Sequence, residues 1–112
     1  MVPTIGRIVL YTLTEHDAIA INKRRADAHA HITDHQRHAT GVVVHTGNTV
    51  SAGDVYPLVI TRTWGEDTPD RLVNGQLLLD GNDTYWVTSV SDGQGPGRFA
   101  WPSIATSTSS KE

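Results

Sequence analysis

The sequence predicts a mainly β domain with one helical insertion, folded as a small, partly open SH3-like barrel of five or six antiparallel strands. Short runs of branched and aromatic residues recur between turns rich in Gly and Pro, and an alanine-rich stretch without Gly or Pro follows the first run. An OB-like barrel is the competing architecture, because one sequence does not reveal strand order. We expect a single domain over residues 1–102 and a flexible Ser/Thr-rich tail over residues 103–112.

The first strand is predicted within Ile5–Leu13, with burial on both faces near Val9 and Leu10. Thr14 then offers a hydroxyl that can cap a helix, and acidic residues follow it at the positive helix end. Alanines favour helix over about residues 14–39. Because bulky apolar residues are few there, we expect this helix to need the barrel or a partner to hold it.

The remaining predicted elements are also bounded by turn residues. A short extended run at Val42–His45 precedes a turn at Ser51–Asp54, and proline ends a last short strand that begins at Arg98. The strongest strand and the clearest hairpin lie between them: Val55–Trp64, then Leu72–Asp80 and Thr84–Val90 joined by Gly81-Asn82-Asp83.

Composition excludes several functional classes. Cysteine is absent, which removes disulfides, thiolate metal sites and cysteine nucleophiles. The net charge of -3 argues against a nucleic-acid partner, since such binders usually carry a basic surplus. No apolar run approaches the roughly 20 residues of a membrane helix, so we expect no membrane partner.

The histidines suggest one candidate site. His31, His35 and His38 fall at i, i+4 and i+7, so a helix places them on one face, where neutral imidazoles can bind zinc or nickel. No glutamate stands between them as in a metalloprotease helix. A solvated helix with titrating histidines, or imidazoles that meet a partner subunit, is the favoured alternative, so we expect no cofactor.

Arginines and aromatic residues suggest a second site, for an anionic ligand. The cluster Lys23-Arg24-Arg25 can grip phosphate oxygens, although acids on the same helix favour a solvated, neutralised face. Aromatic residues concentrate in the second half, where core packing explains most of them and ligand stacking explains some. The candidate ligand-binding residues are Arg24, Arg25, Tyr56, Arg62, Trp64, Trp86, Arg98 and Trp101.

Catalytic signatures are missing. Asp80-Gly81-Asn82-Asp83 lacks the length and final glutamate of a calcium loop, and Gly93-Gln94-Gly95-Pro96-Gly97 lacks the lysine of a P-loop. No Gly-x-Ser-x-Gly elbow joins serine to histidine and aspartate. We therefore expect a binding protein rather than an enzyme.

Four segments together resemble small uncharacterised proteins encoded by phages of actinobacteria. They are Gly6-Arg7-Ile8-Val9, Ile21-Asn22-Lys23-Arg24-Arg25-Ala26-Asp27, Ala52-Gly53-Asp54-Val55-Tyr56-Pro57 and Leu79-Asp80-Gly81-Asn82-Asp83-Thr84-Tyr85-Trp86. The resemblance covers residues 3–102. It implies a phage origin and supplies no activity. Together with the absence of cysteine, which suits a reducing compartment, that origin favours the host cytoplasm as the location, with virion association as an alternative.

Three functions follow as expectations. The first is a phage accessory protein that sequesters a small anionic molecule, such as a nucleotide immune signal of the host. The second is a protein-interaction or virion accessory module whose partner is a host or phage protein, and a homo-oligomer is a further expectation. The third is a metal-binding protein that uses the histidine face.

Overall fold

The computed structural model of the chain describes residues 1–36 and 47–103, with side chains described over residues 1–30 and 47–103. Five strands and one helix follow in the order β1 (Ile8–Thr12), α1 (Glu15–Gln36), β2 (Val55–Thr63), β3 (Val73–Leu78), β4 (Thr84–Asp92) and β5 (Arg98–Ala100). Consecutive strands are neighbours, and β5 returns to β1 to close the barrel. The prediction of a small, mainly β barrel with a helix after the first strand is confirmed.

Two details of the predicted barrel differ. The barrel is closed rather than partly open, because β5 pairs antiparallel with β1. The strands are also not all antiparallel, since β4 and β5 run parallel over the pairs Ser91–Arg98 and Asp92–Phe99. The connecting loop uses Gly93, Gly95 and Gly97 at φ 153°, 99° and 78°, and such angles let a short loop redirect the chain.

Several predicted local elements are present. The turn at Ser51–Asp54 is closed by the Asp54 amide, which donates to the Ser51 carbonyl at 3.1 Å. The predicted hairpin is the β3–β4 pair. The predicted helix residues 37–39, the extended run Val42–His45 and the tail from residue 104 onward lie outside the described residues.

The core is built from the inward positions of the strands. Alternate residues of β1 and β2 are buried, as the two-residue period of a strand requires. The apolar side chains inside the barrel include Val9, Leu58, Ile60, Val73, Leu77, Val87, Val90 and Phe99. At one end, Leu13, Val50 and Leu79 join them beneath the helix.

Helix α1 covers that end with a narrow stripe formed by Asp17, Ala18, Ile21 and Arg25. Its start is fixed by a reciprocal cap: the Asp17 amide donates to Thr14 Oγ1 at 3.0 Å, and the Thr14 amide donates to Asp17 Oδ2 at 3.0 Å. Tyr11 Oη also donates to Asp17 Oδ2, at 2.5 Å. The cap therefore joins the helix to β1.

The opposite end of the barrel is bent by two register shifts, one between β2 and β3 and one between β3 and β4. The buried Asn74 lies at both, and its Oδ1 accepts from Trp64 Nε1 at 3.0 Å and from the Ser89 amide at 2.8 Å. Ser89 takes φ 51° at the second bulge. Asn74 thus accepts a hydrogen bond from the Ser89 backbone amide, which the interrupted strand ladder would otherwise leave without a partner.

Candidate binding surfaces

The basic cluster of α1 packs against the turn between β3 and β4. Arg25 donates to Asp83 through Nε at 3.3 Å and Nη2 at 2.9 Å, and through Nη1 to the Asn48 carbonyl. Arg24 Nη2 donates to Asp83 Oδ2 at 2.6 Å and to the Thr84 carbonyl at 2.9 Å. We call this set of contacts the helix–turn junction.

Arg25 is buried at the helix–turn junction, and this burial determines which group compensates its charge. Arg25 is 6 % exposed, so its charge is compensated by Asp83 rather than by water. Burial alone would raise the pKa of Asp83, but hydrogen bonds from Arg25 and Arg24, together with their charges, hold that pKa below its usual value. The two predicted phosphate-binding arginines are therefore committed to one carboxylate of the same chain.

A cleft of about 230 Å³ opens beside the junction, lined by Asn22, Arg25, Ala26, His29, Gly47, Asn48 and Thr49. Asn22 pairs with Val50 as a strand would: its Nδ2 donates to the Val50 carbonyl at 2.8 Å, and its Oδ1 accepts from the Val50 amide at 2.9 Å. Polar groups on this wall thus serve the docking of α1 on the segment after residue 47.

All three tyrosines of the chain belong to strands beside the helix: Tyr11, Tyr56 and Tyr85. Burial is the largest cause that raises the pKa of each phenol. For Tyr11, the hydrogen bond to Asp17 raises the pKa further. The phenols therefore stay neutral at pH 7, and that of Tyr11 donates a hydrogen bond to Asp17.

Two arginine–tryptophan pairs lie elsewhere. The guanidinium of Arg62 stacks 4.0 Å from the ring centre of Trp64, and that of Arg7 lies 5.1 Å from the ring centre of Trp101. Trp101 also meets Phe99 edge to face, with centroids 6.4 Å apart. The exposed Arg98 lies beside Gly93, where an added Cβ would come within 2.7 Å of its Nη1.

The predicted ligand-binding residues do not form one site. Arg24 and Arg25 lie at the helix–turn junction, and Tyr56 occupies the same end of the barrel in β2. The tryptophans of the two stacked pairs follow the ends of β2 and β5, while Trp86 is exposed on β4. These assignments stay predictions, divided among separate surfaces.

The predicted metal site falls largely outside the structure. The side chains of His31 and His35 and the whole of His38 lie outside the described residues, so the histidine face stays a prediction. Within residues 1–30 and 47–103, no group of three or more His, Asp or Glu side chains is placed to hold a metal ion.

A largely apolar band runs around the outside of the closed barrel across four of its five strands. One cross-strand row runs Ile8, Val59, Gln76, Trp86, as the pairings of β1 to β4 require. The next row contains the pairs Leu10–Pro57 and Leu78–Thr84. We call the apolar members of these rows the outer face: Ile8, Leu10, Pro57, Val59, Leu78 and Trp86.

The outer face is open to solvent at its centre and edges. Trp86 is 60 % exposed, Ile8 51 % and Leu78 44 %, while Leu10, Pro57 and Val59 are half-buried. Leu10 was expected to be buried, but its neighbour Val9 takes the inward position and turns it outward. Of these six residues, sequence reasoning named only Trp86 as a binding residue, because grouping the others requires the strand register.

Comparison of the chain with protein-family models, with curated protein sequences and with solved structures found no match. The helix seen in the described part of the chain is not long and apolar enough to cross a membrane.

Proposed function

We propose that the chain is a non-catalytic interaction module that binds a protein partner through the outer face. The observation that carries this proposal is the row from Ile8 to Trp86 on the solvent side of a closed barrel, in which three of the four residues are apolar and Gln76 is the polar one. Scattered apolar residues are normal on a protein surface, whereas contiguous patches mark binding sites. The outer face belongs to the second kind.

The chemistry of the outer face suits a protein rather than a small ligand. It is convex and broad, with a tryptophan at one side and aliphatic side chains beside it, and exposed Thr84 and Thr88 border it. Interfaces between proteins have such an apolar centre, enriched in aromatic residues, within a polar rim. Small-molecule sites are concave.

The barrel architecture supports the same function. We propose an SH3-like rather than an OB-like barrel, since an OB barrel is a Greek key and these strands neighbour one another in chain order. The resemblance to actinobacterial phage proteins supports a phage accessory role in the host cytoplasm. Both points concern what kind of module this is, and neither identifies the partner.

A second candidate function is the binding of a small anionic molecule beside Arg62 and Trp64. The stacked pair at 4.0 Å favours it, and no ion pair found among the described residues includes Arg62. A thermal-shift titration with linear and cyclic nucleotides tests this candidate, because a ligand that binds only the native state raises Tm. A shift that Arg62→Ala removes supports it, and the absence of any shift rejects it.

The main proposal is tested by site-specific photo-crosslinking. A photoreactive amino acid at position 86 should capture a protein in cells that express the chain. The same residue at position 19 is the matched control, because Ile19 is also 60 % exposed but lies on α1. Crosslinks from position 86 that are absent from position 19 support the outer face. No protein crosslink from position 86, or equal yields from both positions, rejects it.

A further inference from the structure

We infer that the protein partner binds by adding an extended segment to β4, along the edge of this strand that faces away from β3. The inference rests on the proposed function, because Trp86 of the outer face lies on the same strand. It names the chemistry of the partner: a β-forming peptide segment with a carboxylate near one end. The strand pairing, the sequence of the edge and an exposed arginine beside it carry the inference.

Residues 84–90 of β4 have a paired strand on one side only. Along this stretch the neighbour is β3, whereas β5 joins the other side of β4 only at Ser91 and Asp92. Among the strands of the described residues, no other one pairs with β4. We call the unpaired side of residues 84–90 the open edge. It is roughly 20 Å long, which is enough for an added segment of about five residues.

Two contacts show which backbone groups point toward the open edge. The Ser89 amide donates to a side chain of β3 at 2.8 Å, and the Thr84 carbonyl accepts from Arg24 of α1 at 2.9 Å. Backbone groups of an antiparallel strand alternate in direction from one residue to the next. The odd-numbered residues of this stretch therefore bond to β3, and the even-numbered Trp86 and Thr88 direct their amides and carbonyls to the open edge. Main-chain hydrogen bonds of this kind hold an added strand.

The open edge lacks the residues that usually prevent strand addition. Natural edge strands are protected by charged residues or proline, and Thr84-Tyr85-Trp86-Val87-Thr88-Ser89-Val90 contains neither. Its aromatic and β-branched residues favour strand instead. An added segment places its own outward side chains next to Trp86, which is 60 % exposed, and pairs of aromatic with β-branched residues across strands stabilise such a ladder.

An exposed arginine at the end of the open edge selects an acidic segment. Arg98 pairs with Ser91 on β5, and β5 holds the position beside β4 that an added segment takes further along. The Arg98 side chain rests against Gly93, where the absence of a Cβ leaves room for it. None of the ion pairs found in the described part of the chain includes Arg98. A carboxylate near the end of the added segment can therefore accept its hydrogen bonds.

Amide hydrogen exchange of the full chain, measured residue by residue by NMR, tests whether the edge is open. In the free protein, the amides of Trp86 and Thr88 should exchange at least about a hundredfold faster than those of Tyr85 and Val87. The second pair is a control within the same strand, because its amides bond to β3. Equal protection of all four amides would show that the edge is already covered, and it would overturn the inference.

Peptides selected on the immobilised full chain from a random decapeptide display library test the occupant. They should be β-forming and acidic, and at about ten times Kd they should slow exchange of the Trp86 and Thr88 amides about tenfold. Arg98→Gln should weaken their binding about threefold, whereas Lys23→Gln on α1 is the matched control and should leave it unchanged. Thr88→Pro removes one edge amide and should weaken binding at least about tenfold, with circular dichroism to verify folding.

The outcomes separate this inference from the proposed function. Peptides that bind without slowing the Trp86 and Thr88 amides, or that bind wild type and Arg98→Gln equally, overturn the inference. Protection of these amides that grows with protein concentration in the absence of peptide makes the occupant a second copy, which also overturns it. If no peptide binds the edge but position 86 still crosslinks to a protein, strand addition is wrong and the outer face stands. If position 86 captures no protein either, both proposals fall.

Discussion

Replacement of Asp83 by asparagine should cost about 3 kcal/mol of unfolding free energy. The substitution leaves Arg25, which is 6 % exposed, without its countercharge, and breaking a buried ion pair costs about 3–5 kcal/mol. We take the lower end because the Asp83 side chain keeps 22 % of its surface exposed and Arg24 is more open still. For a chain of this length, the loss corresponds to a fall in Tm of roughly 10 °C.

Equilibrium unfolding in urea, followed by tryptophan fluorescence, measures this loss. Asp27→Asn is the matched control, since it removes the carboxylate of the exposed pair with Lys23 on the same helix and should leave stability nearly unchanged. A loss below about 1 kcal/mol for Asp83→Asn would refute the reasoning. It would mean that Arg25 is compensated by the Asn48 carbonyl or by water and that the junction is free to take a ligand.

The same residue predicts a pH dependence. The folded state lowers the pKa of Asp83 below its unfolded value of about 3.9, so its stabilisation is present above that value and is lost as the pH falls through the folded pKa. Wild type should therefore lose stability between about pH 4 and the lower folded pKa more steeply than Asp83→Asn does. Parallel slopes for the two proteins in acid would contradict the assignment.

Two further substitutions probe the frame that supports the outer face. Tyr11→Phe should lower the free energy of unfolding by about 2 kcal/mol, because it removes the donor to the buried Asp17 carboxylate. Since folding raises the pKa of Tyr11, wild type should lose stability above about pH 10, and the variant should lose less over the same range. Denaturant titrations at pH 7 and pH 11 measure both effects, and equal alkaline losses would show that Tyr11 is not the titrating group. Gly75→Ala should prevent folding or cost more than about 3 kcal/mol, since its Cβ would lie 2.4 Å from a backbone oxygen of β2. Gly53→Ala meets no atom within 4 Å and carries only the strain of φ +91°, so its thermal unfolding should change far less; similar losses at both glycines would show that the barrel relieves the crowding at position 75.

Local chemistry made much of the fold predictable. Thr14 and the acids after it mark the start of α1, and the run after Asp54 marks β2. Gly81-Asn82-Asp83 marks the β3–β4 turn. Each of these signals lies within a few residues of the element that it predicts, which is why one sequence is enough. Barrel closure depends instead on the pairing of β5 with β1, which joins the two ends of the described chain.

The candidate surfaces were less predictable for the same physical reason. The sequence shows Arg24 and Arg25 as cations, but their partner Asp83 is 58 residues from Arg25, where the local pattern indicates only a turn. The outer face combines residues from four strands, and only their register places Ile8, Val59 and Trp86 in one row. A shift of one residue in any strand would turn its apolar side chains inward.

The most direct test of the outer face as the working surface is the photo-crosslinking comparison of positions 86 and 19. The account predicts a protein crosslink from position 86 that is absent from position 19, although both side chains are equally exposed. No protein crosslink from position 86, or equal yields from both positions, would contradict it.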